Sequence, residues 1–211
     1  MLLAFAGIRN YGKVYRGKQK KSSISDTKKM KIEVISYQSE WPRLFEELRR
    51  AAVEALAGID VAVEHVGSTS VPGLAAKPVI DIDIILPQWE RFGEVVRRLG
   101  TLGFEHRGDL GIPGREAFTR SPRFAFAHNL YVCRPGTPAL ENHLKLRNYL
   151  RSRPDEAARY AALKFKLAER FPDDIDAYCR GKTDLIGEFL LAAGIDSDSV
   201  AKIRADNLRD E

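Results

Sequence analysis

Hydrophobic and polar positions along this chain change period several times, and the order of those changes predicts a sheet followed by helices. A strand-like segment at 32–37 leads into a helical stripe of Trp41, Leu44, Phe45, Leu48, Val53 and Leu56. Pro42 falls in the first turn, Ser39 or a neighbour is placed to cap it, and Gly58 closes it. Short β-branched runs at 61–66 and 79–86 predict buried strands. Phe92, Val95, Val96 and Leu99 predict a second amphipathic helix over 89–102, ended by Gly100 and Gly103. A strand is expected to start at 104–106, and the Gly- and Pro-rich stretch 108–114 reads as a loop over a ligand site. Residues 116–120 and 124–133 predict paired strands joined by a turn at Ser121-Pro122-Arg123. From Pro138 the pattern is helical, with helices expected at 138–152, 154–171 and 175–193, each starting near a Pro or Asp. The tail beyond Gly194 is polar and predicts fraying, with at most a turn at 200–204. The fold expected is α/β: a mixed sheet beside a helical C-terminal half.

The stretch 61–86, VAVEHVGSTSVPGLAAKPVIDIDIIL, holds the chemistry. Strand side chains alternate, so Asp81 and Asp83 share one face while Ile80, Ile82 and Ile84 share the other. Two carboxylates side by side in an apolar strand repel each other and resist desolvation. A divalent cation resolves that conflict, and Mg²⁺ would complete its shell with water and phosphate oxygens. A sheet-edge strand with solvated or arginine-paired aspartates is the alternative. Upstream, Gly67-Ser68 breaks the first strand; such a turn lets backbone N–H groups approach phosphate oxygens. A helical turn opened by Thr69-Ser70 would add to the anion preference.

Gly67-Ser68, twelve residues, then Asp81-Ile82-Asp83 resembles the signature of the nucleotidyltransferase superfamily, the polymerase-β-like fold. More narrowly, EHVGSTSVPGLAAKPVIDI resembles the diagnostic block of GrpB-like proteins. The likeness continues through Arg115-Glu116-Ala117-Phe118, His128-Asn129-Leu130-Tyr131-Val132 and the run 143–168, and so covers residues 31–193. It implies Mg²⁺-dependent (or Mn²⁺-dependent) transfer of a nucleotidyl group from an NTP to an acceptor. Asp81 and Asp83 would bind metal, and Gly67, Ser68, Thr69, Ser70 and Lys77 would bind substrate. The superfamily uses two ions and a third acid from a later strand. Glu116 is the candidate, with Asp109 second. His65, on the first strand, is placed to reach the aspartates. His128 keeps the first position of the family's His-rich strand, but Asn129 and Tyr131 replace later ones, against a histidine-built metal site. Tyr160/Lys164, Tyr178/Lys182 and Arg147/Arg151 are each four apart, one helix face per pair. Arg147, Tyr160 and Lys164 are the candidates for a triphosphate contact, with solvated basic faces as the alternative. Members of the family are sometimes fused to dephospho-CoA kinase, so a catalytically silent nucleotide- or CoA-binding module is the rival function.

Charge narrows the partners. The 211 residues carry a net +5, but residues 1–29 hold eight Lys/Arg against one Asp, leaving the rest slightly negative. Basicity therefore belongs to the leader, and nucleic acid is expected only through it. The leader reads as a targeting peptide, a disordered arm, or the product of an upstream start, Met30 being the alternative beginning. A domain over 30–195 and a tail over 196–211 follow. No apolar run reaches membrane-helix length. Cys133 and Cys179 lack CxxC spacing, which implies neither zinc site nor disulfide frame and a cytoplasmic setting. A GxSxG context is absent. His106 and His143 are expected at the surface.

Overall fold

The computed structural model describes residues 31–208. The leader 1–29 and the last three residues lie outside them. Helix α1 (Trp41–Ala55) starts with Pro42 in its first turn and buries Trp41, Leu48 and Ala52 on one side. Glu40, not Ser39, stands at its N-cap, without a side-chain cap. Strands β1 (Ala62–Val66), β2 (Ile80–Ile85), β3 (Arg115–Ala117) and β4 (His128–Cys133) form one sheet in the order β1-β2-β4-β3. β1 runs antiparallel to β2, β2 parallel to β4, and β3 antiparallel to β4.

Register decides what each face carries. Val66 stands opposite Asp81 and Glu64 opposite Asp83. Asp81 is opposite Asn129, and Asp83 is opposite Tyr131. Arg115 is opposite Cys133, and Ala117 is opposite Tyr131. Opposed residues share a face, so Glu64, Asp81, Asp83, Asn129, Tyr131 and Arg115 look one way. Ile80, Ile82, Ile84, Leu130 and Val132 look the other way, into a first core closed by α1 and α2 (Phe92–Gly100).

Over the aspartate face lie α3 (Pro138–Ser152), α4 (Pro154–Arg170), α5 (Ile175–Arg180), α6 (Thr183–Ala192) and α7 (Ser197–Leu208). They surround a second core that includes Leu74, Leu150, Ile186, Phe189, Val200 and Ile203. Pro154 cannot continue α3 and starts α4 instead. The helix expected over 175–193 is broken at Gly181-Lys182. A Cβ on Gly181 would meet the Leu167 side chain of α4, which would have to shift to admit it.

Four further expected elements differ. Residues 32–37 form an isolated bridge, Ile35 to Ala76, and 104–106 form another, His106 to Phe118. The β3–β4 hairpin is shorter in its strands and longer in its connection, which spans 118–127. The polar tail is the twelve-residue α7, not a frayed end; it buries Val200 and Ile203. No helix among the described residues is long and apolar enough to cross a membrane.

Candidate functional site

The site is a cleft between the aspartate face and α3–α6, with an empty volume of ≈ 1090 Å³ that includes its open mouth. Its floor begins at Gly67, where φ is +69°. A Cβ there would lie 2.2 Å from Asp81 Oδ2, so glycine is required by both backbone and neighbour. The 3₁₀ turn Ser68–Ser70 follows. The Ser70 hydroxyl donates to Gly67 O (2.6 Å), the Thr69 hydroxyl to Val79 O (3.1 Å), and Arg151 Nε to Ser70 O (2.9 Å). Thr69 and Ser70, both buried, thus brace the turn with their hydroxyl hydrogens, and Thr69 also lines the cleft. Ser68 is half-buried in the cleft wall, which Tyr160 also lines.

The aspartates have unlike surroundings. Asn129 Nδ2 donates to Asp81 Oδ1 (2.6 Å). Burial raises the Asp81 carboxyl to about 6, against the lowering effects of Asn129, His143 and Lys77. Asp83 is fully buried. Its Oδ2 accepts from His143 Nδ1 (2.7 Å), while its Oδ1 has no partner.

Basic side chains line the rest: Lys77, Arg115, Arg147, Lys164 and Lys182. Lys164 is buried, donates to Ala75 O, and is held well below the ordinary lysine range by burial, with Lys182 adding to the effect. Burial likewise lowers Lys182 to about 8 and lowers Lys77. Lys164 Nζ sits 4.5 Å from the Tyr160 ring centre and Lys182 Nζ 4.3 Å from that of Tyr178. Arg147 pairs with Glu64 (2.5 Å) and donates to His65 O (3.0 Å). A buried ammonium resists ionisation until an anion restores what desolvation removes. Several of them around one cleft therefore favour a multiply charged anionic ligand.

Three expected site residues lie elsewhere. Glu116 stands opposite Val132, on the face away from the aspartates, and pairs with His106 (2.6 Å). The alternation that brings Arg115 into the cleft sends Glu116 out of it. His65 stands opposite Ile82 and stacks on Phe45 at 4.6 Å. Because the Thr69 hydroxyl donates to Val79, it accepts from His65 Nε2–H (3.1 Å). Burial lowers His65 to about 4, helped by Arg151 and Arg147. His128 stands opposite Ile80, among Phe104, Phe124 and Phe126. Its Nδ1–H donates to Phe126 O and its Nε2 accepts from Ser121 N. Both histidines serve the first core. Asp109, the other candidate acid, accepts from Gly111 N in its loop and does not line the cleft.

His143, expected at the surface, is instead an aspartate partner. It belongs with Arg147 and Arg151 to one i, i+4, i+8 stripe on α3, a pattern readable in the sequence. Arg115, Asn142 and Lys182 also line the cleft. Among the described residues, no group of three or more His, Cys, Asp or Glu is arranged to hold a metal ion.

The same span that builds this cleft, residues 31–191, matches the GrpB protein family. The chain belongs to the GrpB family. It is 35% identical over 158 residues to the UPF0157 protein YqkA of Bacillus subtilis, covering 75% of this chain and 46% of that one. A dephospho-CoA kinase of Mycolicibacterium paratuberculosis is 28% identical over 171 residues, covering 70% of this chain and 42% of the kinase. The chain thus spans under half the length of each of these two relatives. The crystal structure of the conserved protein GrpB from Enterococcus faecalis superposes with a TM-score of 0.69 at 36% identity, covering 76% of this chain and 96% of that one. Every cleft residue named above falls within the GrpB match.

Proposed function

We propose that this GrpB-family cleft binds a phosphorylated nucleotide with a divalent cation and passes the nucleotidyl group to an acceptor. The observation that carries the reading is that five basic side chains share one cleft with Asp81 below the Gly67 turn, while Asp83 lies buried on the same face of β2, behind the cleft lining. The residues fit one Mg²⁺ or Mn²⁺ ion: Asp83 Oδ1 is a buried acceptor without a partner, two residues along β2 from Asp81 and on the same face. They do not fit the two-ion arrangement, since Glu64, which shares the face, is paired with Arg147 and Glu116 is turned away. When bound, the ion would neutralise phosphate oxygens and polarise the phosphorus. In this reading Asn129 orients Asp81, and His143 orients Asp83. The open Gly67 backbone admits the phosphates. Lys77, Lys164 and Lys182 balance the charge of the departing pyrophosphate. A hydroxyl or amine acceptor forms its bond to the α-phosphorus and loses its proton to water. The α–β bridging P–O bond breaks, and pyrophosphate leaves with the electron pair.

A catalytically silent nucleotide- or CoA-binding module is the second reading, favoured by the His143–Asp83 hydrogen bond that already occupies one carboxylate oxygen. Calorimetry with the four NTPs and CoA species, with and without Mg²⁺, tests both. The protein is compared with Asp81→Ala/Asp83→Ala and with Glu116→Gln. Metal-dependent NTP binding, lost in the double variant and kept in Glu116→Gln, is the expected result. Binding indifferent to metal and to both aspartates would overturn the transferase reading. Metal-dependent binding without pyrophosphate release on any acceptor would favour the silent module.

A further inference from the structure

Arg115 is placed at a cost that the fold does not recover. It is 1 % exposed, and its Nε and Nη2 have no hydrogen-bond partner. A buried charge lacking hydrogen bonds is strongly destabilising. The guanidinium lies 4.3 Å from the Tyr131 ring centre, a contact that leaves Nε and Nη2 without a hydrogen-bond acceptor. Asn142, 3 % exposed on α3, also has an Nδ2 without a partner. Both side chains line the cleft. Tyr131 links the two elements that carry them: its ring lies 4.3 Å from the Arg115 guanidinium and 6.2 Å from the ring of His143, the residue after Asn142 on α3. Leu140 of the same helix packs with Tyr131 and Ala117.

The position of this pair separates it from the phosphate-facing turn. Gly67 follows β1 at one edge of the sheet, and Arg115 belongs to β3 at the other. Three strand spacings, about 14 Å, divide those edges. Along the strands, Arg115 is level with Cys133 and Ile85, whereas the Gly67 turn lies beyond Val66 and Asp81. The lysines and the Gly67 turn equip one end of the cleft, and a guanidinium fork with an amide equips the other. A planar fork of parallel N–H donors matches a carboxylate or a phosphate better than any neutral group.

We infer that Arg115 and Asn142 form a second oxyanion subsite, which holds a carboxylate or phosphate group of the acceptor. The acceptor class rests on the transferase reading above; the subsite itself does not. The oxyanion held there is a spectator that orients the acceptor, while a separate hydroxyl or amine of the same molecule reacts.

The test uses inorganic phosphate and malonate as probes, read by calorimetry and by thermal unfolding of the full chain. The wild type, Arg115→Met, Arg115→Lys, Asn142→Ala, Lys182→Met and Asp81→Asn/Asp83→Asn are compared. A preference between the two probes distinguishes a phosphate-bearing from a carboxylate-bearing ligand. Arg115→Met is expected to bind the preferred anion about tenfold more weakly or worse. It should also melt at or above the wild-type temperature without anion, because an unpaired buried charge is gone. Arg115→Lys, which keeps the charge without the fork, should fold and bind weakly, and it decides the matter should the methionine variant not fold. Lys182→Met and the double aspartate variant should both keep the Arg115-dependent component. An Arg115→Lys or Arg115→Met protein that binds both anions as the wild type does would overturn the subsite, as would a wild type that binds neither. Loss of metal–NTP binding in the aspartate variant with the oxyanion component intact would leave the two readings independently judged.

Discussion

At the scale of single residues, Gly67 and Asp81 are one device. The positive φ and the 2.2 Å approach of a built Cβ to Asp81 Oδ2 act on the same atom pair. Gly67→Ala should therefore lower stability by about 1–3 kcal/mol, read by urea unfolding. It should also abolish metal-dependent NTP binding, because the carboxylate is pushed from its Asn129 hydrogen bond. An alanine variant with wild-type unfolding and wild-type binding would rule this out. That Asp81 and Asp83 share a face was legible in the sequence, since it follows from the two-residue period alone. That His65 and His128 turn away from them was not. It depends on Val66 opposing Asp81 and His128 opposing Ile80, and register across strands is set by non-local contacts.

At the scale of elements, α7 is the clearest departure from local pattern. Its apolar content is slight, yet Val200 and Ile203 are almost fully buried in the second core and Asp206 and Asn207 are buried too. Ile203→Ala should cost about 2–4 kcal/mol, the range for emptying a packed aliphatic site. Chemical denaturation gives the number directly, and a loss near zero would mean the helix is not packed as described. The break at Gly181 has the same origin. A continuous apolar stripe runs across it, but the chain turns at Gly181, where the Leu167 side chain packs close, and Lys182 then stands at the head of α6 in the cleft wall.

At the scale of the whole molecule, one sheet separates two cores, and its titratable groups are divided between them. His65 and His128 are held neutral in the first core, both lowered mainly by burial. His65 falls from 6.5 to about 4, so between those values the unfolded chain binds more protons than the folded one. Its burial is without penalty above pH 6.5, and stability is lost progressively as pH falls toward 4. Asp81, raised from 3.8 to about 6, acts in the opposite sense over an overlapping range, so the histidine term needs a difference measurement. Melting temperature followed from pH 7.5 to 4.5 should fall less steeply in His65→Gln than in the wild type. Equal slopes would show that His65 is already charged, or equally neutral, in both states.

What the sequence determined by itself was what local physics determines. Side-chain period placed Asp81 and Asp83 together, β-branched runs marked β1 and β2, and Pro42, Pro138 and Pro154 marked helix starts. The one-residue parity of β3 is a different kind of fact. Arg115 and Glu116 are adjacent polar residues on a three-residue strand, and nothing within that strand says which faces the cleft. The pairing of β3 with β4, and of β4 with β2, decides it, because only the assembled sheet fixes which face α3 covers. For the same reason the candidate third acid is outside the cleft, while Arg115, with unmet hydrogen-bond donors, is inside it.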